Sequence, residues 1–248
     1  MEKPSRPPPP PSTSLLRHLV NFDTAVSLTL YNLTQPILPR PFLKLLEISG
    51  DGRLFFPILL SLLLSPLRSA SPLLLTLLVN LLIGSLLDLI LIGLIKHIVR
   101  RPRPVYNKHM FLTFAVDHWS FPSGHASRVC FTASLFYLSS DLIPSIFLQL
   151  KSGMLGLDEF ESVKRLNVLV IAWATATSVS RVLLGRHFVF DVAAGAGLGV
   201  LNASFVFHFL NCSVDLAISY TDDKFTNSPA QCVCLETAFL EKLFLRLS

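Results

Sequence analysis

The chain has 248 residues, of which 51% are hydrophobic and 15% charged, and its mean hydropathy is +0.57. Soluble domains carry about a quarter charged residues, so the composition argues against a water-soluble globule and for an integral membrane protein. The net charge of +5 is modest and much of it lies within residues 96–108, which speaks for a local anionic ligand and against a nucleic-acid surface.

Residues 1–13 contain the run Pro7 to Pro11 and are expected as a disordered, polyproline-like tail. They do not resemble a signal peptide, because no apolar core follows the first residues. Residues 14–48 mix Leu, Val and Phe with Arg17, His18, Asp23, Arg40, Lys44 and Glu47, and are interrupted by Pro36, Pro39 and Pro41. One or two amphipathic helices at the membrane interface fit that pattern. Ser49-Gly50-Asp51-Gly52 then forms a turn.

A membrane core is expected over 49–211. Leu54–Leu67 is a short apolar run, whereas the run Leu73–Ile95 is long enough for about 30 Å of hydrocarbon at ~1.5 Å per residue. Val129–Leu150 contains Asp141 and Pro144, which leaves its end open. Leu166–Gly185 and Phe188–Leu210 complete the set, the last carrying Gly195, Gly197 and Gly199 for close helix packing. The predicted fold class is all-α: a polytopic transmembrane helical bundle of about five to six spans. Residues 212–248 form a polar C-terminal tail whose end, Leu235–Leu247, is amphipathic. The four cysteines, Cys130, Cys212, Cys232 and Cys234, have neither zinc-site nor disulfide-framework spacing. Asp88, an ionisable residue inside a span, is expected to bridge two helices by a hydrogen bond.

Three short runs stand at the ends of these spans. They are Lys96 to Pro104 (Lys-x6-Arg-Pro), Pro122-Ser-Gly-His125, and Ser180-Arg181 followed by His187 and Asp191. Alternate crossings bring all three to one membrane face. In Pro122-Ser-Gly-His125 the proline and glycine shape a turn at a helix N-terminus, where unpaired N–H groups attract an anion. Ser123 adds a hydroxyl donor or serves as a plain helix cap. His187 and Asp191, four apart, can share a helix face and hydrogen-bond, which fixes the imidazole tautomer and frees the other nitrogen as a nucleophile. Lys96, Arg103 and Arg181 taken singly read as interfacial snorkellers. Taken together at one face, these groups are suited to gripping a phosphoryl group and passing it to a histidine.

The three runs match the signature motifs of the type-2 phosphatidic acid phosphatase superfamily, and the chain is similar to that superfamily over roughly residues 50–210. Its members include lipid phosphate phosphatases, glucose-6-phosphatase and vanadium haloperoxidases. Leu45-Leu-Glu-Ile-Ser-Gly50, Leu86-Leu-Asp88 and Ser120-Phe-Pro-Ser-Gly-His-Ala126 resemble the presqualene (polyisoprenoid) diphosphate phosphatase branch and plant lipid phosphate phosphatases of the beta type.

The resemblance implies a role for each motif residue. His187 is the nucleophile, Asp191 orients it, and His125 is the general acid and base. Lys96, Arg103, Ser123, Gly124 and Arg181 bind the phosphate. No carboxylate cluster accompanies the motifs, so hydrolysis is expected without metal or other cofactor. The expected partners are a lipid phosphate substrate and the bilayer, with no nucleic acid. Isoprenyl diphosphates are the favoured substrate, because Arg100-Arg101-Pro-Arg103 differs from the glycine-containing form of the phosphatidate-preferring branch. Phosphatidate or lysophosphatidate is the alternative, and a non-hydrolytic phospholipid transporter or binding protein is the reading from another class. The expected location is the endoplasmic reticulum membrane with a luminal active face, although counting positive charges alone would place residues 96–108 in the cytosol.

Overall fold

The computed structural model describes residues 12–66, 71–106, 118–150 and 159–210. These residues form helices, with one isolated β-bridge between Pro102 and Trp119. The fold is an all-α bundle, as the composition predicts.

The segment expected to hold interfacial helices contains two, α1 (Ser12–Thr34) and α2 (Arg40–Ser49). Pro41 sits in the first turn of α2, where its missing N–H costs nothing. Helix α3 (Gly52–Leu64) starts where the Asp51 carboxylate accepts the Arg53 N–H at 2.9 Å. Helix α1 starts at Ser12, and the tails expected over 1–13 and 212–248 lie almost wholly outside the described residues.

Helix α4 (Pro72–Val99) is capped by Ser71, whose hydroxyl accepts the Leu74 N–H at 3.2 Å. It ends at Arg100, which turns the chain in the left-handed region (φ 49) and brings Lys96 and Arg103 to the same end of the bundle. The predicted Val129–Leu150 span is two helices, α5 (Gly124–Leu138) and α6 (Ile143–Leu150). The break falls at Ser139–Leu142, where Asp141 and the approaching Pro144 interrupt the apolar pattern. Helices α7 (Glu159–Leu183) and α8 (Val189–Phe205) follow, and a π-turn extends α8 to Leu210.

Among the described residues, three stretches are long and apolar enough to cross a membrane: Pro72–Val99, Val163–Leu183 and Val189–Leu210. Helix α3 is apolar but shorter. Leu86, Leu89, Ile90 and Leu94 on α4 and Val168 and Leu169 on α7 are exposed, as suits side chains that face lipid.

Helix α5 is the centre of the bundle and packs most extensively on α8, then on α7. The glycines of α8 explain how closely. A Cβ on Gly195 would lie 2.3 Å from the Ser123 carbonyl oxygen, and one on Gly199 would lie 2.1 Å from that of Ser127. Gly197 meets nothing within 4 Å, so the packing motif is Gly195-x-x-x-Gly199, with the middle glycine on the far face. Phe131, Leu135, Leu77, Leu81 and Val206 fill the interior beneath. Asp88 accepts a short hydrogen bond from the Ser127 hydroxyl, the helix-to-helix link expected of it.

Candidate active site

All eight residues singled out from the motifs lie at one end of the bundle. Lys96 is in the last turn of α4 and buried; Ser123 and Gly124 start α5, with His125 in its first turn. Arg181 ends α7, His187 occupies the turn that follows, and Asp191 is in the first turn of α8. Gly185, at φ +71, allows that turn, and a Cβ there would also meet the Tyr106 ring at 2.8 Å.

His187 is held by its Nδ1, which donates to the Ser120 carbonyl at 2.8 Å. Its Nε2 accepts from Arg103 Nη1 at 3.3 Å, and the same Nη1 donates to the Arg186 carbonyl at 3.0 Å. The pattern assigns the Nδ1–H tautomer and leaves the Nε2 lone pair turned towards the guanidinium of Arg103. Burial pushes the imidazole well below its ordinary pKa, and the nearby charges of Arg103, Arg181 and Lys96 push it further; the Ser120 carbonyl pulls it back in part. The ring is therefore neutral at pH 7, the form in which a nitrogen can attack.

Asp191 differs from the simple expectation. Its Oδ2 is 3.8 Å from His187 Nδ1, too far for a hydrogen bond. Instead it accepts from the Ser120 hydroxyl, from the Phe188 N–H at 2.9 Å and from Arg101 Nη1 at 2.7 Å. The physical reason is local. The α8 N-terminus presents N–H groups that draw the carboxylate onto its own helix, and Ser120 stands between it and the imidazole. Asp191 thus acts on His187 through Ser120, whose hydroxyl it receives and whose carbonyl holds the ring.

Ser123 is the N-cap of α5, its hydroxyl accepting the Ala126 N–H at 3.5 Å, while its own N–H donates to the Asp191 carbonyl at 2.9 Å. Both readings of this serine are therefore open at once: it caps the helix and stands at an anion-attracting terminus. His125 Nε2 is buried with no hydrogen-bond partner among the described residues, and the nearest carboxylate is Asp51 at 3.9 Å. Arg181 is fully buried, and its Nε likewise has no partner among the described residues.

Sequence reasoning missed the residues that hold the motif side chains. Arg101 bridges Asp191 to Asp23 of α1, at 2.7 Å on each side, and lies 4.1 Å from the centre of the Phe188 ring. Asp23 also accepts the Phe190 N–H at 3.0 Å, and Ser27 accepts the Val189 N–H at 3.0 Å, so α1 caps α8. Glu47 of α2 pairs with Arg181 and Arg186. A signal was present: Asp23 is a lone acid among the apolar residues of α1, and it is 1% exposed.

The geometry gathers Lys96, Arg103 and Arg181 with two buried imidazoles, His125 and His187, at one end of a helix bundle. The sequence profile of the PAP2 superfamily matches residues 73–214. Across 210 residues the chain is 45% identical to a protein of Arabidopsis thaliana described as probable lipid phosphate phosphatase beta, covering 82% of this chain and 95% of that one. Its fold is similar to the crystal structure of a PAP2-type phosphatidylglycerolphosphate phosphatase from Bacillus subtilis, with a TM-score of 0.60 at 21% identity over 76% of this chain and 84% of the other. The chain belongs to the PAP2 superfamily, and it is an integral membrane protein.

Proposed function

We propose that the protein is a membrane lipid phosphatase that hydrolyses the phosphate or diphosphate group of an amphiphilic lipid through a phosphohistidine on His187. The observation that carries this reading is the neutral His187, its Nδ1–H held by the Ser120 carbonyl and its Nε2 set against Arg103. Family membership and the similarity to a probable lipid phosphate phosphatase support it.

His187 Nε2 attacks phosphorus, the bond from phosphorus to the lipid oxygen breaks, and His125 gives a proton to that oxygen. Burial and the nearby arginines disfavour the His125 imidazolium in the free protein, and the negative charge of the bound phosphate offsets them. Water then attacks the phosphohistidine, the N–P bond breaks and His125 takes the water's proton. Lys96, Arg103, Arg181, Ser123 and the Gly124 N–H hold the phosphoryl oxygens, supplying the charge neutralisation that phosphoryl transfer demands. The reaction proceeds without Mg²⁺, because the nearby carboxylates are committed to arginines: Asp191 and Asp23 to Arg101, Glu47 to Arg181 and Arg186, Asp51 to Arg53. Isoprenyl diphosphates such as presqualene or farnesyl diphosphate are the substrate class, favoured by the basic run from Arg100 to Arg103. The site faces the lumen of the endoplasmic reticulum.

A substrate panel tests the reading. Isoprenyl diphosphates and monophosphates are compared with phosphatidate and lysophosphatidate, each with and without EDTA. Phosphate release from the isoprenyl compounds, undiminished by EDTA, is expected. Preference for phosphatidate would overturn the substrate class, and binding without release would favour a transporter. A glycosylation tag inserted near Lys108 is expected to be modified, and an unmodified tag would reverse the orientation.

A further inference from the structure

Residues 73–214 carry the family match, yet Arg181 and Arg186 among them are held by a carboxylate from outside it. Glu47 lies in the last turn of α2. Its Oε1 accepts from Arg181 Nη1 at 2.5 Å and from Arg186 Nε at 3.2 Å, and its Oε2 accepts from Arg186 Nη2 at 3.5 Å. Burial raises the Glu47 carboxyl, but Arg181 and then Arg186 outweigh it and hold the group below its usual value, so it is ionised.

The pair is mostly sheltered from water, with side-chain exposures of 1% for Arg181 and 17% for Glu47. A carboxylate fixed on one edge of a planar guanidinium also fixes where the other edge points. Arg181 Nε is a buried donor with no partner among the described residues, and such a donor is costly until an oxygen reaches it. Arg186, the second partner of Glu47, offers its carbonyl to Arg103 Nη1 at 3.0 Å, and Arg103 in turn touches His187. One carboxylate therefore governs two of the cations around the nucleophile.

We propose that Glu47 is a positioning residue of the phosphate site: it clamps Arg181 so that the free Nε edge meets an incoming phosphoryl oxygen, and steadies Arg103 through Arg186. This rests on the reading of Arg181 as a phosphate ligand. Glu47 does not touch the reacting atoms. Its effect passes through Arg181, and removing Arg181 must abolish most of it.

The test is a double-mutant cycle on the full-length protein in detergent, with orthovanadate as the probe because it mimics a phosphoryl group in transfer. Calorimetric affinity for vanadate and kcat/KM on a lipid phosphate are measured for wild type, Glu47→Ala, Arg181→Ala and the double variant. Glu47→Ala is expected to weaken vanadate binding about tenfold in the wild-type background and less than about twofold when Arg181 is absent. Equal losses in both backgrounds would mark a general structural role and overturn the proposal, as would full affinity in Glu47→Ala. If that variant does not fold, Glu47→Asp keeps the charge and withdraws it by one methylene; the same pattern is expected at about threefold. A wild type that binds vanadate but releases no phosphate from any lipid overturns the phosphatase reading and leaves the clamp readable. A wild type that binds no vanadate overturns both.

Discussion

The two parts of the active face are built differently. Residues 96–104, 122–125 and 180–191 come from the ends of α4, α5, α7 and α8, and they bring cations and imidazoles together at one end of the bundle. Residues 23–51, from α1, α2 and the turn that follows, contribute carboxylates instead, each set against a basic group: Asp23 on Arg101, Glu47 on Arg181 and Arg186, Asp51 on Arg53. In the proposed reaction the first group meets the phosphate, and Asp23 and Glu47 of the second hold arginines of the first in place. A buried guanidinium is useful to a substrate when it is fixed, and in water-poor surroundings a paired carboxylate fixes it well. The lesson is that α1 and α2 supply partners to the motif arginines, although the family match begins after them.

This comparison can be broken at several depths. Replacing His187 with Ala should have the largest effect, abolishing phosphate release in a steady-state assay while leaving the protein folded in detergent. Arg181→Ala should lower the rate on the order of 10²–10³-fold, as loss of one oxyanion donor does; an effect under tenfold would move Arg181 to the holding group. Asp23→Asn strips one anchor from Arg101 and should lower kcat about tenfold, as loss of a supporting hydrogen bond does, with KM little changed. A KM effect alone would separate α1 from the chemistry.

The pH profile offers a finer test. Protonation disables the nucleophile, and the His187 pKa is depressed, so the acid limb of kcat/KM should fall below the ordinary imidazole value of about 6.5. Arg103→Gln removes the neighbouring cation, which favours the imidazolium, so its acid limb should move to higher pH. The smallest expected effect is Gly197→Ala, whose new methyl meets nothing. Gly199→Ala, by contrast, would drive a methyl into the Ser127 carbonyl and lower the melting temperature clearly.

The gathering of the motif residues at one end of the bundle was legible in the sequence because motif spacing and alternating spans are local properties. Lys96, Ser123, Arg181 and His187 all fall at helix ends, which the apolar runs delimit. The break between α5 and α6 was half legible, since Asp141 and Pro144 were visible but their consequence depended on packing. The role of Glu47 was not legible, because it depends on how α2 docks against α7, and an acid in an amphipathic helix ordinarily faces water. The same holds for Ser120. Its carbonyl takes the imidazole bond that the four-residue spacing assigned to Asp191, and no residue pattern reports a backbone oxygen.

The most direct test of the central claim is a rapid-quench experiment on purified protein in EDTA, using a lipid phosphate or diphosphate labelled on its terminal phosphorus. Wild type is predicted to carry label in an alkali-stable, acid-labile form, as a phosphohistidine is, and His187→Ala to carry none. Label retained on His187→Ala at the wild-type level, or turnover that disappears with the chelator, would contradict the account.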